Sequence, residues 1–225
     1  MEVLFKIFLF IHITAGATGL LSGTINLFRK KGDKKHKFIG NVFSYAMLTA
    51  GFSSLMLAIM HPNYFLFIVG MFTIYLTGTG KRYIHFKMLG ENTKPTYIDW
   101  ALTIMMLLTG SVFLILGLKQ IFLEHYFGLV LVVFGFFSLR LVRSDFLNYN
   151  GKARAKNFWL LAHIQRMTGG YIAALTAFLV VNSNNIPIQL PGVFVWLVPT
   201  IIFVPFIVKW SKKYEVKKKV AAESK

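Results

Sequence analysis

The chain has 225 residues, of which 56% are apolar and only 15% are charged. A soluble domain usually carries about 25% charged residues, so this composition excludes an ordinary soluble globular protein. The chain has no cysteine, which excludes a disulfide framework, a thiolate metal site and an attached c-type haem. Any chemistry must therefore use histidines, carboxylates, hydroxyl groups or a bound cofactor.

The formal net charge of +17 would suit a nucleic-acid-binding protein if the basic residues shared one folded face. Instead, they fall in four clusters separated by long apolar stretches, so we predict a lipid bilayer as partner and no nucleic acid. Apolar runs of about 20 residues are long enough to cross a hydrocarbon core as helices. The sequence therefore predicts an all-α, polytopic membrane helix bundle with seven spans, of which the third is the shortest. These spans are 3–28, 38–60, 64–79, 97–118, 122–141, 158–181 and 193–210.

Lysine and arginine are concentrated in alternate connections between the predicted spans. Four segments hold 22 of the 25 basic residues: 29–37, 81–94, 140–156 and 209–225. The other three connections hold only one basic residue: 61–63, 119–121 and 182–191. Because cytoplasmic connections are enriched in Lys and Arg, we expect the N-terminus outside and the C-terminus in the cytoplasm. This multi-pass arrangement in the cell inner membrane requires all seven spans.

The short connections predict a single transmembrane helical domain over residues 1–210, followed by a basic cytoplasmic tail over 211–225. The tail either extends into solvent or binds anionic lipid headgroups at the cytoplasmic face. The first span contains Ala15-Gly16-Ala17, which imitates a signal-peptide cleavage site. We nevertheless expect this span to be retained, because it lacks a basic n-region and its apolar run continues.

Two histidines lie deep within the predicted spans. His12 is nine residues into the first span, about 14 Å from its outer boundary at 1.5 Å per residue. His163 is five residues into the sixth span, roughly 8 to 10 Å from the cytoplasmic side, and Arg166 lies one turn deeper. An ionisable side chain at membrane depth costs several kcal/mol, so it usually faces the bundle interior. Such a residue either hydrogen-bonds a neighbouring helix or serves a function.

Small residues share a helix face with each of these histidines. The face on the first span consists of His12, Gly16, Gly19, Gly23 and Asn26. The face on the sixth span consists of His163, Met167, Gly170 and Ala174, with Arg166 and Gly169 at its edges. Such a groove admits a flat macrocycle beside an axial imidazole, with a nearby arginine neutralising a propionate. The same spacing is also the common way for helices to pack closely in lipid, and both interpretations remain open.

The depths of the histidines limit which of them can share an iron. His12 and His163 differ in depth by roughly 6 to 8 Å, whereas two axial ligands of one haem iron lie at nearly the same height. His36 and His85 lie at the cytoplasmic mouths of the second and third spans, so either could pair with His163. The candidate cofactor-binding residues are His12, His163, His36, Arg166, Gly16, Gly19 and Gly170. The candidate metal ligands are His12, His163 and His85.

Three short motifs resemble those of a known protein family. The first helix contains H-I-T-A-G-A-T-G-L-L-S-G from His12, and K-K-H-K-F-I-G-N-V-F follows the basic loop. These motifs resemble the opening of a family of uncharacterised bacterial multi-pass membrane proteins, whose His-basic-x-x-Gly pattern His36 and Gly40 match. His163 to Met167 resembles the family's His-x-x-x-Met helix, with Arg166 where an aromatic residue is common. The resemblance implies a multi-helix inner-membrane protein and draws attention to these histidines without naming a ligand.

Common catalytic motifs are absent from the sequence: it has no GxxxxGK[ST], HExxH or GxSxG pattern. All eight acidic residues fall at or beyond the ends of the predicted spans, which disfavours ion-coupled transport. Two classes of function remain, and the sequence leaves enzymatic activity undecided. In the first, buried histidines bind a b-type haem or a metal for membrane electron transfer. In the second, the chain is a non-enzymatic membrane subunit or scaffold with a membrane protein partner, or a small-molecule permease.

Overall fold

The computed structural model describes residues 2–89, 93–185 and 192–217, and within these ranges it contains helices and no β-strand. The α-helices are α1 (Glu2–Phe28), α2 (Lys34–Met60), α3 (Tyr64–Arg82), α4 (Tyr97–Phe122), α5 (Phe127–Tyr149), α6 (Phe158–Val181) and α7 (Gly192–Tyr214). Two short 3-10 helices cover Tyr83–Met88 and Ser183–Asn185. The predicted all-α helical bundle is confirmed.

Six of the described helices are long and apolar enough to cross a membrane: α1, α2, α4, α5, α6 and α7. The chain is therefore an integral, multi-pass membrane protein. Helix α3 is not among these six, although its 19 residues extend about 28 Å, close to the thickness of a hydrocarbon core. Every residue from 68 to 80 is buried, so protein encloses α3 and its composition can be less apolar than that of a lipid-facing helix. The seventh span stays a prediction, as does the orientation that depends on it.

The described chain divides into two compact units. The first unit comprises Met1–Lys81 and Arg166–Pro205, and the second comprises Arg82–Gln165 and Phe206–Lys225. In the first unit, α1, α2, the larger part of α6 and part of α7 pack around Phe43, Met47 and Tyr171, and α3 packs against α2 and α6. The prediction of one helical domain over 1–210 stays a prediction.

The predicted basic tail, 211–225, begins as the last turn of α7, and its residues 218–225 lie outside the described ones. The residues just after α7 pair with the two residues that precede α6. The Lys156 backbone N–H lies 2.8 Å from the Val216 carbonyl oxygen, and Asn157 Oδ1 accepts from the Val216 N–H at 2.9 Å. The described part of the tail is therefore fastened to the second unit. Residues 186–191 of the predicted outer connection also lie outside the described ones.

The fifth helix differs from the predicted span 122–141. Phe122 still belongs to α4, and a turn with Glu124 at φ 60 separates α4 from α5. Helix α5 then continues eight residues beyond Leu141, because its last two turns are amphipathic, with Arg143 exposed and Asp145 buried. An apolar run ends at the first charges, whereas a helix that buries one face continues past them.

Helices α4 and α5 form an antiparallel pair with an alternating three-and-four spacing of buried residues. On α4 this series is Asp99, Thr103, Met106, Gly110, Phe113 and Gly117, and on α5 it is Gly128, Leu131, Gly135, Ser138, Val142, Asp145 and Tyr149. This is the seam geometry of left-handed helix pairs. Glycine and serine in the seam let the backbones approach closely, as is common in membranes.

Gly117 tests this close approach, because a Cβ atom at that position would lie 2.8 Å from the carbonyl oxygen of Gly128. We predict that Gly117→Ala forces the two backbones apart and costs about 1 to 3 kcal/mol, roughly 2 to 12 °C in Tm. Gly16→Ala is the matched control, since nothing lies within 4 Å of a Cβ added there. Thermal unfolding in detergent measures both variants. Equal melting temperatures for the two would contradict the packing described for α4 and α5.

Candidate functional site

His12 joins helix α1 to helix α2. Its Nδ1 lies 2.9 Å from the carbonyl oxygen of Ala50 and 3.3 Å from the Oγ of Ser53. Because a carbonyl oxygen can only accept a hydrogen bond, Nδ1 carries the ring proton and is the donor to the Ala50 carbonyl oxygen. In the neutral imidazole the lone pair then lies on Nε2. The interhelical hydrogen bond that was one of the two interpretations of His12 is therefore present.

The small residues that share a face with His12 are mostly covered by neighbouring side chains. A Cβ atom added at Gly19 would collide with the thioether of Met47, and one at Gly23 would lie 2.6 Å from the ring of Tyr171. Only Gly16, one turn from His12, has nothing within 4 Å of an added Cβ. A macrocycle lying along this face would have to displace Met47 and Tyr171, so the face as a whole does not fit a buried haem.

The small residues of α6 in the first unit pack on α3. A Cβ atom at Gly170 would lie 3.1 Å from Thr77 Oγ1, and one at Gly80 would lie 3.0 Å from the Cβ of Arg166. The Arg166 side chain is only 1% exposed, and its guanidinium carbon lies 5.4 Å from the centroid of the Tyr75 ring. Arg166 is therefore enclosed by protein, with a cation–π contact to α3. Its predicted role beside a propionate stays a prediction.

The other predicted ligands lie apart from His12 or in the second unit. His36 is half-buried in the first turn of α2, about 21 Å along that helix from Ala50. The structure thus does not bring His12 and His36 together. His85 is exposed in the 3-10 helix of the second unit, and His163 is half-buried in the part of α6 that belongs to that unit. Among the described residues, no three His, Asp or Glu side chains are grouped to hold a metal ion, and the metal and haem ligand sets stay predictions.

The second unit contains a buried polar cluster that sequence reasoning missed. The Asp145 side chain is fully buried, and its Oδ1 accepts a hydrogen bond from the Tyr83 hydroxyl at 2.5 Å. Thr103 Oγ1 lies 3.2 Å from Oδ2 of Asp145, and Asn148 Nδ2 donates to the Tyr83 hydroxyl at 3.1 Å. This cluster links the 3-10 helix after α3 to both α4 and α5.

A second buried carboxylate fixes the start of α4. Asp99 is fully buried, and the guanidinium of Arg82 forms a two-pronged ion pair with it, with Nη2 at 2.8 Å from Oδ2. The same carboxylate accepts the backbone N–H of Thr96 at 2.8 Å and completes a capping box. Bidentate Arg–carboxylate pairs are among the strongest hydrogen-bonded contacts, so this pair holds the end of α3 against α4.

Aromatic rings pack beside these polar groups in the second unit. The Tyr149 ring centroid lies 5.2 Å from that of Trp100 and 5.5 Å from that of Phe86. Sequence reasoning placed every acidic residue at or beyond the end of an apolar run and therefore passed over Asp99 and Asp145. The missed signal was the spacing that puts Asp145 on one face with buried Ser138 and Val142. Two acidic residues near span ends are buried by protein, which weakens the argument against ion-coupled transport.

The chain matches no protein-family model, and comparison with curated proteins and with solved structures also finds no match. The resemblance to the bacterial multi-pass family accordingly stays a prediction. The function has to be inferred from the contacts made by the chain's own residues.

Tyr83 provides a test of the buried cluster. We predict that Tyr83→Phe lowers the free energy of unfolding by about 1 to 3 kcal/mol, because it removes the hydroxyl that donates a hydrogen bond to Asp145 and accepts one from Asn148. Tyr126→Phe is the control, since Tyr126 is 89% exposed and its hydroxyl can be hydrated. Thermal unfolding of both variants in one detergent compares them. A Tm for Tyr83→Phe no lower than that of Tyr126→Phe would mean that the cluster does not stabilise the fold.

Proposed function

We propose that this protein is a non-enzymatic integral membrane subunit or scaffold, in which the intramembrane histidine and the small residues hold the helices together. The observation that carries the proposal is the 2.9 Å hydrogen bond from His12 Nδ1 to the carbonyl oxygen of Ala50. Interhelical hydrogen bonds in membranes contribute on average about 0.6 kcal/mol each. Their value is geometric, because each one fixes the register of two helices.

Three other candidate cofactor-binding residues make contacts that support the same proposal. Gly19 accommodates Met47, Gly170 accommodates Thr77, and Arg166 lies against the ring of Tyr75. Each of these contacts joins two different helices, so the residue types that first indicated a cofactor are used for packing. A subunit or scaffold needs this kind of rigid helix arrangement to present a constant surface to a membrane protein partner.

The exposed faces of the outer helices are consistent with this role. Within the most apolar 18-residue stretch of each helix, only 11% of the residues of α1 and 6% of those of α7 are buried. These helices therefore lie against lipid or against helices of a partner. We further propose that the chain lies in the inner membrane with its C-terminus in the cytoplasm, because 22 of its 25 basic residues fall in alternate connections.

A b-type haem or a metal is the second candidate, and one observation favours it. Donation from Nδ1 to a backbone carbonyl is the usual second contact of a metal-binding histidine, since it directs the lone pair of Nε2 outward. The open space beside Gly16 is on the same face of α1. A haem held by His12 would supply one-electron transfer, and His36 lies too far along α2 from the residue that His12 contacts to hold the same haem.

Purification in mild detergent after haem-replete expression separates the two candidates. The subunit proposal predicts a colourless protein without stoichiometric iron or copper. It also predicts that His12→Gln remains folded and lowers stability by no more than about 1.7 kcal/mol, the largest value found for such bonds. Visible absorption, elemental analysis and thermal unfolding are the measurements.

The opposite result has a clear signature. A Soret band that shifts on reduction, disappears in His12→Ala and persists in His125→Ala would overturn the subunit proposal in favour of haem binding. His125 is the appropriate control because it is exposed in the turn between α4 and α5. A Soret band that persists in His12→Ala would exclude His12 as the ligand.

A further inference from the structure

An open groove runs along the seam between α1 and α2 on the surface of the first unit. It has a volume of about 280 Å³ and is lined by Thr18, Leu21, Ser22 and Ile25 of α1 and by Phe38, Ile39 and Val42 of α2. Two of these seven side chains carry a hydroxyl, and each hydroxyl donates within α1: that of Thr18 to the carbonyl oxygen of Thr14 at 2.8 Å, and that of Ser22 to the carbonyl oxygen of Thr18 at 2.6 Å. The groove is therefore effectively apolar and is suited to a hydrocarbon chain.

The groove ends directly at the most basic connection of the described chain. Helix α1 ends at Phe28 and α2 begins at Lys34, so the groove residues Ile25 and Phe38 lie within one turn of the connection. Residues 29–37 carry six Lys and Arg residues but a single acidic residue, Asp33. An apolar groove that opens onto a cluster of cations is complementary to a molecule with an anionic head and an apolar chain.

Part of this positive charge is used within the connection itself. The ammonium of Lys31 donates to the carbonyl oxygen of Leu27 at 2.8 Å, and burial lowers the pKa of Lys31. The Nη2 of Arg29 lies 3.1 Å from Asp33, and the hydrogen bond from the backbone N–H of His36 holds the pKa of Asp33 below its usual range. These contacts fix the shape of the connection.

The remaining basic groups are available for a ligand. Four lysines of the connection are exposed and make no ion pair in the part of the chain that the structure describes: Lys30, Lys34, Lys35 and Lys37. The Nε of Arg29 is buried and has no hydrogen-bond acceptor among the described residues. A phosphate group at the mouth of the groove would provide the missing acceptor and the missing counter-charge.

We propose that the groove and the basic connection together form a binding site for one anionic phospholipid. Lys34 and Lys35 share the face of α2 on which Phe38, Ile39 and Val42 line the groove, so the phosphate lies between these two lysines and one acyl chain lies along the groove toward Thr18 and Val42. The groove extends about 10 Å along α1 from Ile25 to Thr18, which fits within one leaflet of a hydrocarbon core about 30 Å thick. The bilayer that the chain crosses supplies such a lipid. The proposal rests on membrane insertion and is independent of the role of His12.

Native mass spectrometry of the full chain in a neutral detergent tests the site. Titration with phosphatidylglycerol is expected to yield one retained lipid, bound about tenfold more tightly than phosphatidylcholine. The double variant Lys34→Gln/Lys35→Gln should weaken phosphatidylglycerol binding at least about tenfold, because each basic residue near an anionic headgroup contributes to the attraction. The control Lys212→Gln/Lys213→Gln removes basic residues at the end of α7 and should change binding by less than about twofold.

A groove variant separates binding of the whole lipid from binding of its headgroup. Val42→Trp fills the groove without changing charge and should weaken phosphatidylglycerol binding at least about fivefold. Thr18→Phe replaces it if Val42→Trp melts at a lower temperature than the parent chain. Equal binding of phosphatidylcholine, equal losses in the two double lysine variants, or unchanged binding in the groove variant would each overturn the proposal. Full competition by inorganic phosphate would overturn it as well, because the acyl chain would then contribute nothing.

Discussion

The absence of water in the hydrocarbon core is the constraint on which the rest of this structure depends. A polar group there must find a partner within the protein, because an unsatisfied one costs several kcal/mol. His12 meets this requirement through the backbone of α2. Asp145, beyond the apolar run of α5, is removed from water by the protein itself and finds its partners in Tyr83 and Thr103. The polar residues that first suggest chemistry are thus also the residues that determine which helices lie side by side.

The two compact units satisfy this constraint with different chemistry. In the first unit, glycines let side chains such as Met47 and Tyr171 fill the space between helices, and His12 adds one directed hydrogen bond. In the second unit, carboxylates are held by an arginine, a tyrosine and hydroxyl groups beside packed aromatic rings. Fully satisfied polar clusters of this kind make a helix arrangement rigid, which favours a structural role. Nε2 of His12 is the atom that keeps a cofactor-binding role open.

The helices could be predicted from the sequence where apolar runs and helices coincide, as they do for α1 and α6. The prediction was wrong at both ends of α5, because Phe122 completes α4 and because an amphipathic helix continues past the first arginine. The burial of Asp99 and Asp145 could not be read from distance to an apolar run, since protein rather than lipid surrounds them. The covering of Gly19 by Met47 depends on which helices meet, and no single helix face contains that information.

The most direct test is to measure on which side of the membrane each connection lies, because that sidedness sets the depth of His12 in the bilayer. The chain has no native cysteine, so single cysteines at Lys35, Asn63, Glu124 and Lys152 can be labelled in intact cells with a membrane-impermeant maleimide. Seven spans with the N-terminus outside predict that Asn63→Cys and Glu124→Cys are labelled from outside. Lys35→Cys and Lys152→Cys are then labelled only after the cells are opened. Labelling of Lys35→Cys and Lys152→Cys from opposite sides would contradict this arrangement, because α3 would then not cross the bilayer.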